Sequence, residues 1–161
     1  MRIFLGIVLA IGIFSLGATH GAVTEPSPFP PRCPPRPGSS QFDPIDCRLS
    51  ALYTTTNNAR PQLGELWSSL NRASRIALDR VRAADGICFF GKARCGSSRC
   101  PPARLRLRIL IMSLDRYAAR LRSPAAGSIP QELRDSLATE ALAIAAEAAE
   151  LRPRVTCPPW K

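Results

Sequence analysis

Apolar side chains recur at the spacing of an α-helix in four stretches of this chain, and this pattern predicts a helical protein. The first helix is expected from about residue 44 to 56, with Asp43 as its N-cap and Pro44 at the first helical position. The polar sequence TTNN is expected to end it. Its apolar stripe consists of Ile45, Leu49, Leu52 and Thr56.

The second helix has the clearest pattern and is predicted from Pro61 to Ala84. Gly86 follows it and is typical of a helix C-terminus. One face of this helix is apolar and is therefore expected to pack against the core. That face consists of Leu63, Trp67, Leu70, Ala77, Val81 and Ala84.

The third helix is predicted after Pro101 and Pro102, in ARLRLRILIMSLDRYAARLR. Its first half alternates arginine and leucine as a β-strand would, but the whole stretch follows the helical period. A helix is preferred because no convincing second strand is present to pair with this stretch. A strand remains the alternative interpretation. The apolar stripe consists of Leu107, Leu110, Ile111, Leu114, Tyr117 and Leu121.

The fourth helix is predicted to start near Ser128 and Gln131, which have the spacing of a capping box, and to stop at Pro153. Its alanines would allow a neighbouring helix to approach closely. The inner stripe consists of Leu133, Leu137, Ala141, Ile144, Ala148 and Leu151.

The predicted fold class is all-α: a small up-and-down helical bundle of three long helices plus one short, stapled by disulfides. Six cysteines serve as the staples, and the alternating helix directions place them at one pole of the bundle. Their 15 possible pairings stay open. The six are Cys33, Cys47, Cys88, Cys95, Cys100 and Cys157.

The cysteine spacing argues against a metal or redox site. Cys88, Cys95 and Cys100 share one loop, but they lack the CxxC pairs that structural zinc sites and redox centres commonly use. No metal and no cofactor is therefore predicted.

The N-terminus has the layout of a secretory signal peptide, with Arg2 ahead of an apolar run that is too short to span a membrane. The predicted domains are a signal peptide at 1–22, a proline-rich extended segment at 23–42 and a helical disulfide-bonded domain at 43–161. An uncleaved anchor is the alternative. No later transmembrane segment is expected, so the mature protein should be secreted and extracellular, or periplasmic if bacterial.

The formal net charge is +10 and nearly all of the cations are arginines. Residues 92–122 carry Lys92 and eight arginines against Asp115 alone, whereas residues 129–152 carry five acids against two arginines. Antiparallel packing of the third and fourth helices is expected to neutralise part of this charge.

The residues exclude the common catalytic arrangements. The only histidine, His20, lies in the predicted signal peptide, which removes histidine-based nucleophilic catalysis and histidine-ligated metals. GKARCGSS lacks the spacing of a phosphate-binding loop. The protein is therefore predicted not to be an enzyme.

Binding is the remaining class of function, and the arginine-rich third helix is the candidate surface. The expected partner is a protein receptor or target protein, and sulfated glycans are the alternative; a secreted location makes nucleic acid a secondary choice. The candidate residues are Arg104, Arg108, Arg116, Arg120 and Arg122, with Phe89 and Phe90 as aromatic anchors.

Two family resemblances support a secreted helical binding protein. The sequence DGICFFGKARCGSSRC followed by LRILIMSLDRYAARL, within residues 61–151, resembles the long-chain helical cytokines of the interleukin-six type, which implies a ligand that engages a receptor through helix faces. DPIDCRLSAL and TEALAI are similar to segments of plant invertase and pectin methylesterase inhibitors.

The preferred interpretation is a secreted, cytokine-like ligand of a cell-surface receptor. A secreted protein inhibitor or a viral envelope accessory subunit is the second interpretation. A basic membrane-active protein is the third.

Overall fold

The structure is a computed structural model that describes Cys33 and residues 40–90 and 100–156; of Phe89 and Phe90 it describes the backbone. These residues form helices and no strands, which confirms the predicted all-α class. The helices are α1 (Asp43–Asn58), α2 (Arg60–Leu63), α3 (Trp67–Phe90), α4 (Pro101–Leu121) and α5 (Gln131–Arg154).

Three long helices and one shorter helix form an up-and-down bundle, with α2 as a single extra turn. Helix α1 packs against α3 and α5, and α4 packs between α3 and α5. The start of α1 lies beside the end of α3, since Asp46 and Arg82 form an ion pair at 2.8 Å. The amide of Gln41 also donates to the carbonyl of Thr156, beyond the end of α5, at 2.6 Å.

Arg104, in the first turn of α4, donates to the carbonyl of Pro153 near the end of α5. The start of α1, the end of α3, the start of α4 and the end of α5 therefore lie at one end of the bundle, here called the cysteine pole. Cys88 and Cys100 are buried there, and both are disulfide-bonded. A disulfide also joins Cys33 to Cys47 in α1, with their Cα atoms 6.1 Å apart. Cys95, Cys157, the predicted signal peptide and most of the proline-rich segment lie outside the described residues.

The core contains the stripes that the sequence predicts. Most of those side chains are fully buried, and Trp67, Ile111, Leu133 and Leu151 are partly buried at its edge. Phe42, just before α1, is 1% exposed, so the packed part of the chain begins ahead of the predicted first helix. Within the described residues, no helix has the length and apolar character needed to cross a membrane.

The helix predicted from Pro61 to Ala84 is interrupted at Gly64. Its φ of 50° is a conformation that side-chain-bearing residues rarely adopt, and the chain passes through a 3₁₀ turn, Gly64–Leu66, before α3 begins. Leu63 and Leu70 are both buried across this break. The hydrophobic pattern is therefore the same on both sides of the turn, which is why the pattern did not predict the break.

The predicted helix starts are wrong at two positions. Phe42, not Asp43, is the N-cap residue of α1, and the Asp43 carboxylate accepts a hydrogen bond from the Ser40 amide at 3.0 Å. Ser128 is not a cap, because α5 begins at Gln131 after Pro130 and has no side-chain cap.

The predicted helix ends also differ from those observed. Helix α1 includes the TTNN sequence, and α5 passes Pro153 by one residue. Helix α3 continues through Gly86 to Phe90. Cys88 is buried, as are Val81 and Ala84 along the same helix, so core packing outweighs the low helix propensity of one glycine.

Candidate functional site

Helix α4 carries a row of side chains spaced four residues apart, here called the arginine row, which winds across its outer face from the side of α5 to the side of α3. It consists of Arg104, Arg108, Met112, Arg116 and Arg120. Positions four apart are neighbours on a helix and form a ridge inclined to its axis. At about 1.5 Å per residue the row extends for roughly 24 Å along the helix axis.

The buried stripe of α4 determines which way this row points. Leu107, Leu110 and Leu114 are fully buried, so the helix must present its opposite face outward. Arg108, Arg116 and Arg120 are exposed, whereas Arg104 is partly buried. Four of the five predicted arginines therefore belong to this row, three of them exposed.

Each end of the row borders a groove. At the cysteine pole, Arg104 and Arg108 meet Arg152 of α5 around a groove of about 330 Å³. At the opposite end, Arg116 and Arg120 meet Arg72 of α3 around a groove of about 250 Å³, here called the far-pole groove. The row therefore connects two arginine-lined depressions that lie on different sides of α4.

Arg104 differs from the other arginines because it is tied to α5. Its guanidinium donates to the backbone carbonyl of Pro153, and its Nε is buried with no hydrogen-bond partner within the described residues. Arg104 therefore contributes to the packing of α4 on α5 as well as to the surface.

Two large apolar side chains lie exposed on the same helix. Leu105 is 54% exposed and Met112 is 44% exposed. Isolated exposed apolar residues are common on protein surfaces. Here, however, Met112 belongs to the arginine row and Leu105 lies beside Arg108, one turn away. The outer face of α4 therefore offers apolar as well as cationic contacts.

No carboxylate within residues 40–90 and 100–156 forms an ion pair with an arginine of the row. We expected the acids of α5 to neutralise part of the charge of α4, but the described residues form no ion pair between these two helices. Glu140 and Glu147 of α5 instead bind Arg48 of α1, each at 2.9 Å. They are two helical turns apart, on the side of α5 that faces α1.

The remaining predicted residues, Arg122, Phe89 and Phe90, are not members of the arginine row. Arg122 is the C-cap of α4 and lines neither groove. Phe89 and Phe90 end α3 at the cysteine pole, away from the far-pole groove, and their side chains lie outside the described part of the chain.

Sequence reasoning missed Arg72, Arg152, Leu105 and Met112. Leu105 and Met112 could have been found as apolar residues off the buried stripe of α4. Arg72 and Arg152 had no such signal, because each belongs to another helix and reaches the surface only through packing.

The described side chains include no group of three or more His, Cys, Asp or Glu residues placed to hold a metal ion. Comparison of the chain with protein-family models, with curated proteins and with solved structures found no match.

Proposed function

We propose that this protein is a secreted binding protein that engages an acidic protein partner, such as the extracellular part of a receptor, through the outer face of α4. The observation that carries the proposal is the arginine row, whose exposed guanidinium groups have no carboxylate partner among the described residues. A complementary acidic surface would supply the missing partners and speed the encounter.

The apolar side chains favour a protein partner. Leu105 and Met112 would lose contact with water in a complex, and methionine adapts its shape readily to a facing surface. Methionine and arginine are also enriched in protein interfaces. A partner held by charge alone would leave these two side chains without a role.

The resemblance to helical cytokines supports the same mode of binding, since such ligands engage receptors through helix faces. An inhibitor would use the same surface to form a one-to-one complex with an enzyme. A membrane-active protein would need a broad apolar face, and α4 offers two apolar side chains among arginines.

Binding of the mature, oxidised protein to cells tests the proposal. The informative variants are Met112→Ser and Arg108→Glu, and Arg75→Glu is the matched control because Arg75 is exposed on α3 and lines neither groove. We expect saturable binding that each α4 variant weakens about tenfold or more, while the control stays within about twofold.

Enzyme treatment of the cells identifies the partner class. Protease should abolish binding, whereas removal of sulfated glycans should leave it in place. If Arg75→Glu weakened cell binding as much as Arg108→Glu, the binding would depend on net charge alone and the proposal would be contradicted. Cell binding that survives protease treatment would also contradict it.

A further inference from the structure

The far-pole groove concentrates positive charge from two helices. Arg72 comes from the second turn of α3, and Arg116 and Arg120 come from the last two turns of α4. None of the three guanidinium groups has a hydrogen-bond or ion-pair partner among the described residues. Three like charges around one small depression repel each other, and an anion bound between them would relieve that repulsion.

Two of the four partly buried side chains that form the floor of this groove are apolar. Ala73 and Ile76 of α3 line it and are partly buried. Ser69 and Ser113 also line it, but each hydroxyl donates to a backbone carbonyl three or four residues earlier, at 2.9 Å. The arginines are therefore the groove's free donors, and they surround a surface suited to hydrocarbon.

The size of the groove limits what it can hold. Pockets for whole small molecules measure roughly 300–1,000 Å³, and this groove measures about 250 Å³. It suits one side chain of a larger molecule. A guanidinium group binds the oxygens of sulfate or phosphate in pairs and also stacks on aromatic rings, so a ring that carries such an anion matches both the donors and the floor.

We infer that the far-pole groove binds one tyrosine side chain of the partner whose hydroxyl carries a sulfate or phosphate ester. The ring would lie on Ala73 and Ile76, and the ester oxygens would accept hydrogen bonds from the three arginines. The inference rests on the proposed function in one respect, since the tyrosine belongs to the protein partner.

Three short peptides test this inference. They share one neutral sequence and differ in their single tyrosine, which is unmodified, O-sulfated or O-phosphorylated. We expect at least one ester to bind the mature protein about tenfold or more tightly than the unmodified peptide, because it gains several charge-assisted hydrogen bonds. Comparison of the two esters identifies the anion. Amide chemical shifts should change at Ala73, Ile76 and Ser113.

Single glutamine variants locate the site. Arg72→Gln, Arg116→Gln and Arg120→Gln should each weaken ester binding about fivefold or more. Arg75→Gln and Arg122→Gln remove the same charge from the same two helices outside the groove, and they should change binding less than about twofold.

The inference fails if both esters bind no more tightly than unmodified tyrosine, or if the control variants weaken binding as much as the groove variants. It also fails if a heparin oligosaccharide binds more tightly than both esters and shifts residues along the whole arginine row. Met112→Ser separates the two proposals: it should leave peptide binding unchanged while weakening cell binding. If the esters fail to bind more tightly but the α4 variants still weaken cell binding, the tyrosine-ester inference is wrong and the proposed partner surface on α4 stands.

Discussion

Tyr117 shows how one buried polar group connects two helices. Its side chain is fully buried, and its hydroxyl lies 2.7 Å from the hydroxyl of Thr56 in α1. The Thr56 hydroxyl already donates its only proton to the carbonyl of Leu52 at 2.7 Å, so Tyr117 must be the donor between them. Burial raises the pKa of Tyr117 to about 12.

This pKa predicts a loss of stability at alkaline pH. The folded-state pKa of Tyr117 lies above its ordinary value of 10.0, so folding favours the neutral phenol. The contribution is complete below pH 10 and is lost as the pH rises towards 12, by about 2–3 kcal/mol in the free energy of unfolding. Urea unfolding at a series of pH values measures it.

The Tyr53→Phe variant makes this measurement specific, since the chain has two tyrosines. Tyrosinate absorbance of the folded variant should rise only near pH 12. Tyr117→Phe should remove the corresponding slope of stability against pH and cost about 1 kcal/mol at neutral pH, the contribution of one hydrogen bond. A folded-state midpoint near pH 10 would contradict the buried donor role.

At the level of elements, α1 is the shortest of the four bundle helices, and Arg48 holds it to α5 by pairing with two glutamates. The side chain of Arg48 is 20% exposed and binds Glu140, which is 16% exposed, and Glu147. The hydrogen bond to Glu140 is the main cause that raises the pKa of Arg48, against the opposing effect of burial.

Replacement of Arg48 should therefore be costly. Arg48→Met leaves the partly buried Glu140 carboxylate without its partner, and we expect the free energy of unfolding to fall by about 2 kcal/mol. Arg82→Met is the matched control, because Arg82 pairs with Asp46 but is 57% exposed, and it should cost less than about 1 kcal/mol.

Urea unfolding of both variants measures the difference. A second change, Glu140→Gln, should recover part of the loss in the Arg48→Met background, since it removes the unpaired charge. Equal effects of the two arginine variants would show that burial adds nothing to the Arg48 contacts.

The prediction of α3 shows which element features can be obtained from sequence. Its buried face was correctly predicted because a helical period is local and needs no knowledge of neighbours. The sequence pattern predicted a helix stop at Gly86, but the helix breaks at Gly64 and continues through Gly86. The backbone conformation of each glycine depends on which flanking residues the tertiary core buries.

For the whole molecule, the disulfide between Cys33 and Cys47 ties residue 33 to α1 across a separation of 14 residues. Cys47 is exposed, so its replacement opens no cavity in the core. The bond should therefore act mainly on the unfolded chain, by restricting a loop of this length.

The double variant Cys33→Ser with Cys47→Ser tests this effect. It should lower the free energy of unfolding by about 3 kcal/mol, as expected for a loop of this length. Helical content measured by circular dichroism should change little, because both ends of α1 keep their packing. A loss of less than about 0.5 kcal/mol would indicate that the unfolded chain is already restricted without the bond.

The sequence by itself determined the helical class, the buried stripes, the meeting of helix ends at the cysteine pole and the four-residue spacing of the arginines on α4. These follow from local periodicity and from the alternating directions of consecutive helices. Only the tertiary structure decided that Arg48 forms ion pairs with Glu140 and Glu147 of α5. The same holds for Arg72, which lines one groove together with Arg116 and Arg120. Such pairings depend on how each helix is rotated about its axis, and that rotation is set by the packing of the whole core.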